Sequence, residues 1–205
     1  MWLRYKWWRA LPLLACLLLA DGLWIQAKAW LAQVLIADAW SRTLDEGGAS
    51  RPWPWADTWP VGRIEMPSQG ADLYVLDGAH GSALAFGPGR LHGTRDPGLP
   101  GLSIIGGHRD THLAFLRHVA ANDRLWVTTR EGLRRPYRIT DLRVMDSQQE
   151  PLLADARRDQ ILLITCYPFD ALQPGGPLRY VVTAEPVMPA AVAEQLPGSA
   201  TGAAG

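Results

Sequence analysis

The chain of 205 residues has two cysteines, and Cys166 stands where a thiol could do chemistry. It ends the apolar run QILLIT and precedes Tyr167-Pro168, and proline does not continue a central strand. Cys166 is therefore predicted to lie where a buried strand gives way to a loop, a position from which a side chain reaches a substrate. A disulfide with Cys16 is not expected, because Cys16 lies in a separate apolar segment and the two Cα atoms cannot approach within about 7 Å. Cys166 is then a small buried side chain, a metal ligand or a nucleophile.

A nucleophilic thiol needs a partner that takes its proton and later protonates the leaving group. Among the five histidines, His108 fits this role, since LSIIGGHRD runs from a predicted buried strand through two glycines directly into it. Gly106 and Gly107 remove side-chain bulk, so that a backbone or a substrate can approach closely. His80 and His92 lie in glycine-rich loops and His118 lies on a short helix. We expect these three to be ordinary polar surface residues.

A zinc site is the competing interpretation of these residues. His108 and His112 stand four residues apart and, with Cys166, supply three ligands of suitable type. A closed site lacks a fourth ligand, and HRDTH has no glutamate in the metalloprotease position. No metal site is therefore predicted.

Arg179 opens the apolar strand that follows the Cys166 strand through the loop 167–178. If these two neighbours pair antiparallel, the end of one adjoins the start of the other, and Arg179 lies at the same rim as Cys166. A guanidinium there would stabilise a thiolate or hydrogen-bond a substrate carbonyl as negative charge develops on it. The alternative is an ordinary arginine on a strand surface.

The residues that position these side chains have the pattern of an all-β domain. From Val61, short apolar or alternating runs recur between turns rich in Gly, Pro and Asp, which suggests a barrel or a sandwich. Eight strands are predicted, at VGRIEM, LYVLD, SALAF, LSIIGG, RLWVTT, PYRITDLRVMD, ILLIT and LRYVVTAE. Helical pieces are predicted at 111–119 and 151–159. The Ala, Gly and Pro of residues 188–205 predict a disordered tail.

Residues 1–40 are predicted to be a membrane anchor with a juxtamembrane helix. Arg4, Lys6 and Arg9 flank an apolar run that Asp21 interrupts, and tryptophans at both edges extend it to a marginal span. The positive flank predicts a cytoplasmic N-terminus and an external domain. A cleaved signal peptide is the alternative, but no small-x-small cleavage site follows the run. Residues 23–40 are predicted to form a helix on, or leaving, the membrane surface.

Residues 41–60 form a predicted linker that holds three prolines, two glycines and three tryptophans. Its Trp-Pro pairs favour packing against the edge of the domain over a freely solvated tether. The 20 basic and 20 acidic residues of the chain cancel, so no global field recruits nucleic acid, and no nucleic-acid partner is predicted.

Three motifs carry a family resemblance: IIGGHRD followed by FL, then LLITCYP, then PLRYVV. In this order, after an N-terminal anchor, they resemble the sortases, which are extracytoplasmic cysteine transpeptidases. The segment LAFGPGRLHGTRDPGLPG is also similar to the sortase stretch before the histidine, and the likeness covers residues 60–186. The anchor and the Trp-rich stretch most resemble the small sortases of Gram-negative bacteria.

This resemblance implies an eight-stranded sortase β-barrel with short helices over residues 61–187. It implies that Cys166 is the nucleophile, that His108 is the general acid/base, and that Arg179 stabilises the oxyanion or positions the substrate. The substrate would be a protein with a C-terminal LPxTG-like sorting signal, and a thioester would pass its acyl group to an amine acceptor. Neither a metal nor a cofactor is implied, since the carboxylate cluster by which some sortases bind calcium is not found.

The resemblance also implies a location and a substrate loop. A single-pass inner-membrane protein with its catalytic domain in the periplasm is expected, and the loop between the sixth and seventh strands, residues 146–160, would contact the substrate. Two other functions stay open: the same Cys-His-Arg site acting mainly as a hydrolase of protein tails, and a non-catalytic periplasmic barrel that binds a partner.

Overall fold

The computed structural model describes residues 7–152, 155–171, 173 and 175–187. Over these residues the chain forms a long N-terminal helix followed by a closed barrel of eight strands. The predicted architecture, a β-barrel preceded by an apolar helix, is confirmed. The predicted tail at 188–205 lies outside the described residues.

The helices are α1 (Trp7–Glu46) and α2 (Gly81–Phe86), with short 3₁₀ turns at Pro67–Gln69 and Ala114–His118. The strands are β1 (Pro60–Met66), β2 (Ala71–Asp77), β3 (Gly89–Arg90), β4 (Leu102–Gly106), β5 (Arg124–Thr128), β6 (Arg134–Asp146), β7 (Gln160–Cys166) and β8 (Leu178–Pro186).

Around the barrel the strands follow the order β1-β2-β3-β4-β7-β8-β6-β5, and β5 pairs with β1 to close it. Most neighbours are antiparallel, but β2 and β3 are parallel, and so are β4 and β7. Parallel neighbours end at the same edge, while an antiparallel neighbour begins there. The carboxyl ends of β4 and β7 and the amino end of β8 therefore meet at one end of the barrel.

The barrel is filled by the inward-facing apolar side chains of its strands, which alternate with outward positions as period-2 strands require. The strand β7 is buried along most of its length because Ile161 and Leu163 lie in the barrel core while Leu162 and Ile164 lie in a second apolar cluster on the other face. This burial of both faces explains its continuous apolar run. Fully buried core residues include Val75, Ile105, Leu125, Ile139, Leu163 and Val182.

One predicted strand is wrong. The segment SALAF belongs to the helix α2, where the Gly87 amide donates to the Ala83 carbonyl at 3.2 Å. The strand that takes its place, β3, has only two residues and begins at Gly89, where a Cβ would lie 2.2 Å from the Gly78 carbonyl oxygen. Alternating Ala and Leu suits either element over so short a length, and the close approach at Gly89 decided which segment joins the sheet.

The helix predicted at 151–159 is also not found in the described residues. Asp155 begins a turn instead, and its carboxylate accepts a hydrogen bond from the Arg157 amide at 2.9 Å. Asx turns of this kind offer the backbone an alternative to a helix. The helical prediction at 111–119 has its counterpart in the 3₁₀ turn Ala114–His118.

The helix α1 is continuous from Trp7 to Glu46 and passes through Asp21 without a break. Its second half packs on the barrel through side chains at helical spacing: Ala32, Ile36, Ala39, Trp40 and Thr43 are all buried. The Trp40 ring lies 6.2 Å from the ring of Tyr74 on β2. The second half of α1 is therefore a docked element of the domain.

The Trp/Pro-rich segment after α1 packs along the barrel. Pro52, Ala56 and Thr58 are buried, and the Trp53 ring contacts Phe86 of α2 edge-on at 5.1 Å. The Thr58 hydroxyl donates to the Asp77 carbonyl at 2.7 Å. These contacts fix the path from α1 into β1.

We predict that Ile36→Ala lowers the free energy of unfolding by about 2–4 kcal/mol, because Ile36 is 1% exposed and its removal leaves a cavity between α1 and the barrel. Denaturant unfolding of the full chain in detergent micelles, followed by tryptophan fluorescence, measures this loss. Val34→Ala is the matched control, since Val34 is 42% exposed on the same helix. Equal effects of the two substitutions would show that α1 does not stabilise the domain.

Candidate active site

Cys166 is the last residue of β7, and its side chain is partly buried. Its Cα partner across the antiparallel ladder is Arg179, the second residue of β8. The antiparallel pairing expected from the sequence is present, and it sets a thiol beside a guanidinium-bearing residue. Thr165, which precedes the thiol, is 2% exposed and anchors the strand end.

His108 follows β4 at the same end of the barrel. The parallel register of β4 and β7 ends with Gly106 opposite Ile164, and the Gly107 amide extends it by donating to the Ile164 carbonyl at 3.1 Å. The Thr165 hydroxyl donates to the Gly107 carbonyl at 2.7 Å. The residue before His108 is thus bonded directly to the residue before Cys166.

The backbone around His108 is held by its neighbours, while its side chain is exposed. A Cβ at Gly107 would lie 2.7 Å from the Leu113 Cγ, so a larger residue would push the histidine loop off the barrel. The Leu113 amide donates to the His108 carbonyl at 3.0 Å. These contacts explain the glycine at position 107, whereas a Cβ on Gly106 would meet ordinary contacts at 3.6 Å.

Arg179 is held at the start of β8 by its own loop. Its Nη1 donates to the Gly176 carbonyl at 2.6 Å and to the Leu178 carbonyl at 2.9 Å. Both of these hydrogen bonds use one nitrogen of a group that carries five N–H donors. The guanidinium is therefore held through Nη1, at the end of the barrel where β7 ends.

Two arginines that sequence reasoning missed tie the histidine loop to the loop after Cys166. The Arg109 Nη2 donates to the carbonyls of Ala171 and Gln173 at 2.7 Å and 3.2 Å. The Arg117 guanidinium lies 5.3 Å from the centre of the Phe169 ring, a cation–π contact. The adjacency of Arg109 to His108 was the only sequence signal, and it does not reveal partners sixty residues away.

An aromatic cluster forms where the loop after Cys166 meets the start of β8. The rings of Tyr167, Phe169 and Tyr180 lie between 5.4 Å and 6.2 Å from one another. Burial raises the pKa of Tyr180 above its usual value, so its hydroxyl stays protonated at neutral pH. Tyr180 is the Cα partner of Thr165, so its side chain lies on the opposite face of the β7–β8 ladder from Cys166. Phe169 and Tyr180 pack against the barrel core and so hold the loop after Cys166 to that end of the barrel.

His112 lies close enough to His108 for their charges to interact. Burial lowers the pKa of His112 below its usual value, and the charge of His108 lowers it further, against a hydrogen bond to the Ala85 backbone that raises it. His112 is therefore neutral at pH 7. Within the described part of the chain, no group of three or more His, Cys, Asp or Glu side chains is arranged to hold a metal ion.

A cavity of about 500 Å³ lies at the other end of β4, lined by Gly93, Thr94, Arg95, Leu102 and Ala156. It joins the segment before β4 to the loop between β6 and β7. Since β4 has five residues, the cavity and the histidine loop are about 15 Å apart along the barrel wall.

The fold places the chain among mixed eight-stranded β-barrels that carry a thiol at a strand end. Residues 64–187 match the family model of the sortase domain, which is more than half of the chain. The chain therefore belongs to the sortase family, whose members are cysteine transpeptidases.

Similar proteins come from several sortase classes. Sortase D of Bacillus subtilis (strain 168) is 25% identical over 122 residues, which are 59% of this chain and 61% of that protein. The chain thus spans less than two thirds of this relative's length. Sortase A from Corynebacterium diphtheriae has a TM-score of 0.57 and 28% identity, covering 66% of this chain and 64% of that one. The Clostridium perfringens Sortase D5 transpeptidase has a TM-score of 0.62 over 77% of this chain and 99% of that one and, at 16% identity, shares the fold.

We predict that Arg109→Ala increases amide hydrogen exchange across residues 167–178 by about tenfold. The charge-assisted hydrogen bonds to the Ala171 and Gln173 carbonyls are lost, and local opening of the loop becomes easier by about 1.4 kcal/mol. Arg138→Ala is the control, since Arg138 is exposed on β6. Unchanged exchange in this loop would mean that Arg109 does not hold it.

A second prediction concerns pH. As the pH falls through about 6.5, the unfolded chain takes up a proton at His112 before the folded chain does, because folding lowers the pKa of this side chain. The free energy of unfolding therefore falls with the pH, and His112→Gln flattens this decline. Urea unfolding at pH 7, 6 and 5 measures the slope. His118→Gln, at an exposed position, should leave the slope unchanged, and identical slopes in all three proteins would contradict the prediction.

Proposed function

We propose that this chain is a membrane-anchored cysteine transpeptidase in which Cys166 is the nucleophile, His108 the general acid/base and Arg179 the group that stabilises the oxyanion. The observation that carries the proposal is the convergence of three strand ends. Cys166 is paired with Arg179, and Gly107 is bonded to Thr165, in a chain of the sortase family.

The proposed reaction has two acyl-transfer steps. The Cys166 thiolate attacks the carbonyl carbon of the residue before the scissile bond, and the resulting tetrahedral intermediate collapses as the C–N bond breaks. His108 gives a proton to the departing amine, which leaves a thioester on Cys166. An incoming amine then attacks the thioester carbonyl, His108 takes the proton from this amine, and the thiolate is released.

Arg179 supplies electrostatic stabilisation in this scheme. Its Nη1 is engaged with the Gly176 and Leu178 carbonyls, and the Nε and Nη2 donors are the ones proposed to face the developing oxyanion. A guanidinium held by its own strand needs no rearrangement as charge develops, which is the basis of this type of catalysis. The side chain of His108, being exposed, is accessible to both amines.

The proposed substrate is a protein with a C-terminal LPxTG-like sorting signal. Leu162 and Ile164, which lie on the same face of β7 as Cys166, would form an apolar floor beside the scissile bond. The cavity at the start of β4, with the loop 147–159, would take the residues that precede it, because an extended peptide of four or five residues spans about 15 Å. An amine of a second molecule would be the acceptor.

The proposed location is the inner membrane, with the barrel in the periplasm. The helix α1 contains a candidate membrane span of mean hydropathy 1.4, and every side chain from Leu11 to Leu31 is exposed on the isolated chain. Basic residues precede this span, which favours a cytoplasmic N-terminus. The small sortases of Gram-negative bacteria provide the comparison for this arrangement.

The test incubates the full chain in detergent micelles with a labelled LPxTG-containing peptide, with and without hydroxylamine. We predict an acyl adduct on Cys166 by mass spectrometry and a hydroxamate product. Cys166→Ala should lower product formation by about 10³-fold or more, and Arg179→Ala by about 10²-fold. Cys16→Ser is the matched control for loss of a thiol and should retain full activity.

The other outcomes separate the alternatives. Cleavage of the peptide without hydroxamate would favour a hydrolase of protein tails. Failure of both the peptide and a cell-envelope extract to acylate Cys166 would favour a non-catalytic barrel. Acylation of Cys166 only by the extract would retain the nucleophile and contradict the LPxTG-like signal.

A further inference from the structure

An apolar groove lies where α1 meets the Trp/Pro-rich segment, far along the chain from the thiol. We call it the juxtamembrane groove. It has a volume of about 620 Å³, and its lining includes Lys28, Leu31 and Leu35 of α1, Trp53 and Trp55 of the segment, and Phe86 of α2. The side chain of Trp55 is 82% exposed at its rim.

The exposed apolar side chains around this groove continue those of α1. Trp24, Trp30 and Leu31 are 61%, 69% and 49% exposed, and Leu31 lines the groove together with Trp55. Among the described side chains of α1, Ala32 is the first that is buried. The exposed apolar side chains therefore run from the candidate span to the groove, and on this face of α1 the charged residue among them is Lys28. An apolar surface of this extent is typical of an interaction site.

The level of the groove along α1 identifies what faces it. A span of about 20 residues crosses the roughly 30 Å hydrocarbon core of a bilayer. Counted from Trp7, where α1 begins, it ends at Gln26, and counted from Leu11 it ends at Trp30. Lys28 lies at this boundary. Leu35 lies five residues beyond Trp30, or about 8 Å, which is close to the thickness of the headgroup layer.

We propose that the juxtamembrane groove and Trp55 are inserted into the headgroup layer of the membrane that α1 crosses, so that the barrel rests on the bilayer in one orientation. This inference rests on the membrane anchoring proposed above. The groove is filled by lipid at the boundary between headgroups and acyl chains, because tryptophan rings are amphipathic and partition to this layer. The Lys28 ammonium, 5.3 Å from the Trp24 ring, supplies a cation for lipid phosphates.

The lining also contains one acidic side chain, Asp57, which is exposed. Its carboxylate accepts a hydrogen bond from the Ser82 hydroxyl at 2.8 Å. The groove therefore presents rings, aliphatic side chains, one ammonium and one carboxylate to the lipid. That combination suits a headgroup–acyl boundary, where apolar and anionic groups meet.

Packed residues connect the juxtamembrane groove to the candidate active site. Gln33 of α1 donates to the Phe86 carbonyl at 2.8 Å, and the nearby Pro88 is 3.5 Å from the position of a Cβ on Gly107. The chain from the groove to His108 is thus a short series of packed residues.

The test places a nitroxide label at residue 55 of the full chain in lipid vesicles that contain phosphatidylglycerol. The background carries Cys16→Ser and Cys166→Ala, and Trp55→Cys provides the label site. Collision of the label with oxygen, which concentrates in lipid, is compared with collision with a water-soluble nickel chelate. We predict an oxygen-to-nickel ratio several-fold above that of the control.

Leu133→Cys in the same background is the matched control. Leu133 is an apolar residue that is 53% exposed, and a Cβ on the adjacent Gly132 would lie 3.9 Å from Leu44 near the far end of α1. That level is fourteen residues beyond Trp30, or about 21 Å above the boundary. Both substitutions replace exposed side chains, so the barrel core is unchanged, and thermal unfolding verifies this.

Each outcome decides the inference. A label at residue 55 that is as accessible to nickel as the control, in a chain that floats with the vesicles, would overturn the lipid contact and leave the anchor intact. A chain that does not float with the vesicles would remove the anchor and the contact together. A high ratio at residue 55 with a low ratio at residue 133 supports the contact.

Discussion

The candidate site depends on the parallel pairing of β4 and β7. Its register sets Gly106 opposite Ile164, and the hydrogen bonds of Gly107 carry that register one step beyond the strands. A slip of one residue would turn every side chain of one strand to the other face and separate the histidine loop from the thiol. Because both strands are largely buried, their apolar faces specify this register strongly.

The rest of the site is built outward from this pair. The strand β8 adds Arg179 through an antiparallel ladder with β7, and the loop between them is drawn back toward the histidine loop by Arg109 and Arg117. Parallel strands need a long crossover, and here β5 and β6 lie within it. The tethers across the barrel end therefore join segments that are remote in sequence.

The long helix has two roles along one element. Its first half exposes apolar side chains on all sides, while its second half buries one stripe, from Ala32 to Thr43, on the barrel. Because α1 is docked, it fixes the orientation of the barrel relative to the helix, whereas a solvated linker would leave this orientation free. The Trp/Pro-rich segment strengthens this by packing back between α1 and α2, with Trp53 against Phe86.

The sequence by itself determined the elements whose signals are local. Hydrophobic period, turn residues and strand order predicted the positions of three residues: Cys166 at the end of a strand, His108 after two glycines, and Arg179 at the start of the next strand. The barrel and its preceding helix were predictable for the same reason. Only the tertiary structure decided that SALAF is a helix, that Gly89–Arg90 joins the sheet, and that α1 continues through Asp21. The tertiary structure alone also revealed Arg109 and its partners. All of these features depend on contacts between residues far apart in the chain, and a local sequence pattern does not contain such contacts.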